Sequence, residues 1–274
     1  MLIEILISVI ASIIAGIGTG LVGLSAATAI TPLLIKCGIP VHQAIYIALM
    51  SDVIASAFTS REYALNKHLV RNASDDKNNL PITWLVFAFS IAFTIVGALI
   101  SSKMPDVGVG TFARYVSLFV GSKFIIEFVI STIKKDNQGK NNRLIDKLQN
   151  HANKTVEIVA TVAGGAIIGL SSGFAGVGGG MTMLLVYRAF GYQLKDAVCV
   201  STITMVFVAF IGGILHYHMD DATVNGWLIL AVCAITTTLS AWITSRLANR
   251  ASDKYHKLLC GMLLIISLVI TKLI

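Results

Sequence analysis

Charged residues are scarce in this sequence, and their scarcity excludes a chain built only of soluble domains. Asp, Glu, Lys and Arg make up 13% of the 274 residues, whereas an average soluble domain carries about 25%. Hydrophobic residues supply 55%, and the mean hydropathy is +0.80. These values indicate a membrane protein with little sequence left for a separate soluble domain.

The sequence also lacks the short motifs of several enzyme and metal-binding classes. It contains no G-x-x-x-x-G-K-[ST] phosphate-binding string and no H-E-x-x-H zinc string, so we expect neither a nucleotide-driven pump nor a zinc protease. There is no C-x-x-C pair, and three of the four cysteines lie in apolar stretches, which is typical of small buried side chains. We therefore expect neither a cofactor nor a metal ion.

A basic segment before the first apolar stretch is missing as well, so residues 2–22 are predicted to be a retained helix and not a cleaved signal peptide.

The net charge is +7, which in a soluble protein would favour nucleic-acid binding. Here the basic residues lie in short segments between apolar stretches, as the positive-inside rule describes. We interpret the charge as a determinant of membrane orientation and expect no nucleic-acid partner.

Apolar stretches fill most of the chain. A spanning helix needs roughly 20 mostly apolar residues, and the candidate spans are 2–22, 42–59, 82–101, 112–133, 156–175, 196–215, 224–245 and 256–273. Two shorter apolar pieces, about 26–37 and 179–190, follow glycine-rich strings. The predicted fold is an all-α polytopic membrane protein, in contact with lipid over much of its surface.

One glycine-rich string occurs twice, 153 residues apart. Five positions match without a gap: Gly16, Gly20, Gly23, Gly38 and Ala44 correspond to Gly169, Gly173, Gly176, Gly191 and Ala197. Membrane helices interrupted at matching places in two halves are the best sequence indication of a transporter's binding site. We predict two homologous halves, 1–133 and 156–274, each with a broken-helix hairpin and three spanning helices, joined by a connector at 134–155.

The distribution of basic residues predicts how the halves are oriented. Segments 59–81, 134–154 and 246–257 hold four, six and four basic residues, whereas 216–224 holds none but contains two aspartates. All three basic segments lie in the cytoplasm, and the acidic one outside, only if each half crosses the membrane an odd number of times. We therefore predict an inverted repeat in the cell (inner) membrane, with a cytoplasmic connector and both termini outside.

Breaks of this kind suit an anion. Unpaired backbone groups are costly in lipid, so a break survives only inside protein or beside a wet cavity. A helix that restarts after the break directs free N–H groups and the positive end of its dipole toward that cavity. A single G-x-x-x-G pair would favour close helix packing, whereas the duplication favours a site near the midplane. Its candidate residues are Gly23, Ser25, Ala26, Thr28, Gly176, Gly178, Gly179, Gly180, Thr182, Ser201 and Thr202.

At these positions the chain resembles the sulfite exporter TauE/SafE family, also described as the four-TMS-type sulfite/organosulfonate permeases. Each half of that family has a Gly-x-Gly-Gly-Gly break, an apolar run often containing Pro, and a helix start of the form Ala-x-x-(Thr)-Ser. Residues 176–180 and 197–202 match this pattern, whereas the first half has Ser25-Ala26-Ala27 in place of the three glycines and Ala48 in place of the Ser. The resemblance implies a membrane transporter of small sulfur-containing anions such as sulfite, sulfonates or sulfoacetate.

Three charged residues lie well inside predicted spans, away from their ends, where charges are costly and often functional. Lys123 and Glu127 lie one turn apart and are either a mutually neutralising structural pair or an anion-attracting and a proton-carrying group. Asp52 follows the first break and either relays protons coupled to anion movement or bonds to a neighbouring helix. His216 and His218 begin a segment with Asp220 and Asp221 that is a weak metal motif, and we interpret it as a solvated loop.

The leading hypothesis is a secondary transporter that moves a small anion by alternating access. An anion channel is the main alternative, because glycines also line pores. An intramembrane enzyme is a further alternative, because Ser25 and Ser171 each follow a Gly-Leu pair. Its nucleophile would need a base within hydrogen-bond reach, and all six histidines are predicted in loops or at span ends. The sequence indicates neither the coupling ion nor the oligomeric state.

Overall fold

The computed structural model describes residues 2–66, 79–104, 154–176, 179–189, 194–219 and 224–250. α-Helices occupy almost all of these residues, and no β-strand occurs among them. The helices are α1 (Leu2–Val22), α2 (Ala27–Lys36), α3 (Val41–Leu65), α4 (Asn79–Ser101), α5 (Lys154–Ala175), α6 (Gly179–Ala189), α7 (Leu194–Tyr217) and α8 (Val224–Arg250). The predicted all-α polytopic class is confirmed.

Most of the predicted spans coincide with these helices. Within the described ranges, the stretches long and apolar enough to cross a membrane are Glu4–Val22, Val41–Leu65, Trp84–Ser101, Leu194–Tyr217 and Gly226–Arg250. α5 contains a shorter apolar stretch, Thr161–Phe174, and α2 and α6 correspond to the two short apolar pieces. The predicted spans 112–133 and 256–273 lie outside the described residues.

The two glycine-rich strings lie where paired helices turn back on each other. In the first turn, Leu24 N–H donates to Gly18 O (3.2 Å) and the Thr19 hydroxyl donates to Leu24 O (2.7 Å). α2 then runs back along α1, so that Cys37 lies near Glu4 in the first turn of α1. α5 and α6 form the second hairpin, in which Gly164 faces Val186.

The hairpins pack across the two halves of the sequence. α1 lies along α8, and α5 lies along α4, while α3 and α7 pack against each other at the centre. α3 and α7 are antiparallel, because Met50 lies beside Gly213 and the Cys199 thiol lies 4.0 Å from Ser60 O. The centre of the protein is therefore an antiparallel helix pair with one hairpin on each side.

Glycines in the first arms allow close helix packing. A Cβ on Gly16 would meet the Ser240 hydroxyl, and a Cβ on Gly173 would meet the Thr94 carbonyl. Interhelical contacts of this kind are what G-x-x-x-G spacing permits. The packing interpretation of the motif is therefore correct for the arms, which leaves the breaks themselves as the candidate site.

Candidate functional site

Both glycine-rich strings break their helices with the same backbone conformation. Gly23 follows α1 with φ +66°, and Gly176 follows α5 with φ +63°. This left-handed region is costly for residues that carry a Cβ, so glycine permits each turn. The two positions are the ones that the sequence repeat pairs.

The two breaks contact each other inside the protein. A Cβ placed on Gly180 would collide with Gly23 O and would lie 2.6 Å from Ser25 N, so the start of α6 passes directly over the first break. Ser25 is fully buried, and its hydroxyl donates to Gly176 O (3.4 Å). Residues 23–25 and 176–180, predicted as parts of one site, are therefore neighbours.

The neighbouring helices α7 and α3 provide different chemistry at the two breaks. A Cβ on Gly23 would lie 2.9 Å from the Ser201 hydroxyl oxygen and 3.1 Å from the Thr202 methyl carbon. A Cβ on Gly176 would instead lie 3.5 Å from the apolar side chain of Leu49. Ser201 and Thr202 of α7 thus join the predicted cluster at the first break.

Hydroxyl groups of the predicted site are engaged with backbone carbonyls. Thr28 donates to Ser25 O (2.7 Å). Ser201 and Thr202 both donate to Val198 O, over 3.0 Å and 2.9 Å. An anion would be bound by these groups only after the hydroxyls rotate, whereas the Ala26 N–H, which faces Asp52, is directed at a negative group already.

The remaining predicted site residues differ in how far they are described. Thr182 is buried and has an interaction partner. Gly179 begins α6, whereas Gly178 lies outside the described residues. Lys123 and Glu127 also lie outside them, and their roles stay predictions.

The N-terminus of α2 faces a carboxylate. Ala27 N–H donates to the Ser25 hydroxyl oxygen (3.3 Å), and Thr28 N–H donates to Ser25 O (3.1 Å). The backbone N–H of Ala26 and the Ser25 hydroxyl both face Asp52 of α3. The positive end of a helix dipole favours a negative group at this place.

Asp52 is fully buried beside the first break. Its Oδ1 accepts a hydrogen bond from the Ser56 hydroxyl (3.2 Å), whereas Oδ2 has no hydrogen-bond partner within the described part of the chain. The equivalent residue of the second half is Met205. The first half therefore brings to its break an acid that the second half lacks at the equivalent position.

The interpretation of the segment after residue 215 as a solvated loop is wrong for His216. This residue lies in the last turn of α7 and is fully buried, because α7 continues past the predicted span end and packs against α3 and α5. His216 Nε2 lies 2.8 Å from Gly173 O, and its Nδ1 lies 3.0 Å from His42 Nδ1. Extending the gap-free repeat alignment to Tyr63 would have singled out His216 as its equivalent.

Metal binding has no support among the described residues, where no group of three His, Cys, Asp or Glu side chains comes together. Asp220 and Asp221 lie outside those residues.

Long apolar helices that enclose two crossing helix breaks define a polytopic membrane protein of the transporter type. The profile of the family described as sulfite exporter TauE/SafE matches residues 8–270. The chain therefore belongs to the sulfite exporter TauE/SafE family, and the resemblance seen in its glycine-rich strings is confirmed. This is a family of membrane transporters of sulfite and related sulfur anions. No curated protein and no solved structure gives a significant match to the chain.

Proposed function

We propose that this protein is a secondary transporter that moves sulfite, a sulfonate or a related sulfur-containing anion across the cell membrane by alternating access. The observation that carries the proposal is the contact between the start of α6 at Gly180 and the first break at Gly23. A site built from two helix breaks lies between two bodies that can rock against each other, which is the arrangement on which alternating access depends.

Helix directions support an inverted relation between the halves. The first hairpin leads into α3 and the second into α7, and these two helices are antiparallel. The hairpins therefore enter from opposite faces. Arg246 contacts Glu62, and Lys195 contacts Asn249, at the face where α3 ends. Basic residues at this face support the predicted cytoplasmic side, and with it a cytoplasmic connector at 134–155.

The N-terminus of α2 is the part of the site that we infer attracts the anion. The Ala26 N–H and the Ser25 hydroxyl converge on the buried region beside Asp52, and the helix dipole adds a positive potential there. The second restart, at the beginning of α6, would supply the facing N–H groups. Lys123 stays a candidate for attracting the anion from a distance.

We infer that the anion is transported together with a proton. Asp52 faces the same N–H group that an anion would use. Two negative charges in this buried region would repel each other strongly, so one of them has to be neutralised before both can stay. A proton shared by Asp52 Oδ2 and the anion satisfies the unpaired oxygen and removes the repulsion. Glu127 stays an alternative proton carrier.

The proposal is tested by flux of radiolabelled sulfite and sulfoacetate into proteoliposomes. Gly180→Ala places a methyl group against backbone at the crossing, whereas Gly212→Ala meets only the ends of the Leu49 and Thr94 side chains. We expect saturable flux in the wild type and in Gly212→Ala, and its loss in Gly180→Ala at an equal amount of folded protein. Flux that rises linearly with concentration would favour a channel. Absence of flux for both anions would overturn the sulfur-substrate assignment.

Proton coupling is tested by following internal pH during anion uptake. Asp52→Asn keeps the shape of the side chain and removes its charge. We expect it to abolish the acidification that accompanies uptake, while Asp196→Asn, at another buried acid in the first turn of α7, keeps it. Unchanged proton uptake in Asp52→Asn would contradict the role of Asp52 without affecting the assignment of anion transport.

A further inference from the structure

Tyr63 and His216 hold equivalent carbonyl groups near the ends of the two hairpin arms. The Tyr63 hydroxyl donates to Gly20 O over 3.1 Å, and His216 Nε2 lies 2.8 Å from Gly173 O. Each side chain comes 43 residues after the glycine that it contacts. Both are fully buried. The same structural position is therefore filled by a phenol in one half and by an imidazole in the other.

The protonation of His216 follows from its partners. A backbone carbonyl only accepts hydrogen bonds, so Nε2 of His216 carries the hydrogen that reaches Gly173 O. In the neutral ring, Nδ1 is then an acceptor. His42 Nδ1 lies 3.0 Å from it, and His42 must therefore be the donor, with a hydrogen on its own Nδ1.

This arrangement limits how many protons the pair can take up. The first additional proton binds to His42 Nε2 and leaves the contact between the two Nδ1 atoms intact. A second one would have to bind to His216 Nδ1, which would put two N–H groups and two positive charges face to face at 3.0 Å. The stacked rings, with centroids 5.2 Å apart, would then have to separate.

We propose that His42 and His216 form a proton-binding site that closes the hairpin of α5 and α6 against α3 and α7, and that opens when the pair takes up its second proton. The inference goes beyond anion transport and does not depend on the substrate. Tyr63 provides no such response, because a tyrosine phenol keeps its proton below about pH 10. Of these two equivalent positions, only the one held by His216, at the face predicted to be the outer one, therefore responds to acid.

The surroundings of the pair contain few other titratable groups. Tyr46 lies one turn after His42 on α3, and its ring contacts Tyr217 of α7 (centroids 5.1 Å apart), which in turn contacts His218 (5.5 Å). α4 carries no charged residue. Those of α5 are Lys154 and Glu157, at the opposite end of the helix from Gly173. Within the described residues, His42 is the titratable side chain that contacts the His216 ring.

The proposal is tested on the full chain in detergent or nanodiscs by hydrogen exchange of the backbone amides around residues 172–176 as pH falls. After correction for intrinsic exchange, we expect opening to increase about tenfold per pH unit, which is the dependence of an opening linked to one proton. ¹⁵N-histidine NMR on the same samples should show the Nε2–H tautomer of His216 at neutral pH and two separate protonation steps for the pair.

Three variants make the test specific. His216→Tyr copies Tyr63 and should remove the acid-induced opening, and His42→Phe keeps the contact with Gly173 but should leave a single protonation step. His218→Gln, a matched change at the neighbouring exposed histidine, should change neither. Acid-induced opening that persists in His216→Tyr would overturn the proposal. If His216→Tyr does not fold, His42→Phe provides the test. A titration of His216 that is the same in His42→Phe as in the wild type would also overturn the proposal.

Discussion

Gly180 in the second half lies against the carbonyl oxygen of Gly23 in the first, so closely that an added Cβ would overlap that oxygen. The two breaks are therefore in backbone contact, with no side chain between them. Packed interiors leave little room for one element to move alone, so a change in one break must shift the other. Substitutions at this crossing should affect transport more than equally strained substitutions elsewhere.

Two positive-φ glycines allow that expectation to be tested. Gly23 has φ +66° and Gly38 has φ +84°, and alanine in this region costs roughly 1–2 kcal/mol. Only at Gly23 does the new methyl group also meet Ser201, at 2.9 Å, whereas nothing lies within 4 Å of it at Gly38. We expect both alanine variants to lose stability to thermal unfolding, but only Gly23→Ala to lose saturable sulfite flux.

A double variant identifies the cause of that loss. Ser201→Ala removes the hydroxyl that the methyl group of Gly23→Ala would meet, so the two changes should be non-additive. Flux should be partly restored in the double variant. Equal flux in Gly23→Ala and Gly38→Ala would show that the crossing is not part of the transport site.

Tyr63 secures the end of the first arm. Its hydroxyl reaches Gly20 O (3.1 Å) and Leu21 O (3.3 Å), two carbonyls in the last turn of α1, where intrahelical donors run out. Tyr63→Phe should lower the free energy of unfolding by about 1–3 kcal/mol, because buried acceptors lose a partner. Tyr217→Phe, at a residue that is 38% exposed, should cost less than about 0.5 kcal/mol. Equal shifts of the unfolding midpoint for the two variants would contradict this role.

The hairpins and most spans could be predicted from the sequence, because both depend on local properties. Long apolar stretches form helices in a membrane to satisfy their backbone, and the glycines that end α1 and α5 recur at a fixed spacing. The gap-free repeat also predicted that Gly23 and Gly176 would share a role, and they share a positive φ. The repeat does not indicate which helices of opposite halves pack together.

The surroundings of Asp52 and His216 depended on that packing. Asp52 was predicted to be functional or structural from its place in a span, but its proximity to Ala26 depends on how α2 folds back toward α3. The sequence predicts a loop at His216 because the apolar stretch ends where polar residues begin. Its burial results from contact with α3 and α5, which hydropathy does not describe.

Glu62 joins α3 to α8 through one carboxylate oxygen. Trp242 Nε1–H donates to Oε1 (2.9 Å), as does Arg246 Nε–H (3.3 Å). Arg246 is 53% exposed, and such pairs contribute about 0–1 kcal/mol, whereas an unpaired indole N–H costs about 1–3 kcal/mol. Glu62→Gln keeps an acceptor for Trp242 and should therefore destabilise the protein less than Glu62→Ala. Thermal unfolding at low and high salt checks this, and equal losses would show that the charge matters more than the acceptor.

Cys37 offers a test of orientation that needs no engineered label site. Burial raises the pKa of this thiol, and the negative charge of Glu4 raises it further. A smaller thiolate fraction at a given pH slows alkylation, so Cys37 should react with a membrane-impermeant maleimide more slowly than free cysteine, and the rate should rise with pH. Glu4→Gln removes one of the two causes of the raised pKa and should speed the reaction.

The same thiol reports orientation. In a Cys260→Ala background the remaining described cysteines, Cys199 and Cys233, are buried, so labelling in intact cells reports Cys37. Labelling from outside supports the predicted orientation of the first hairpin, whereas labelling only after permeabilisation reverses it.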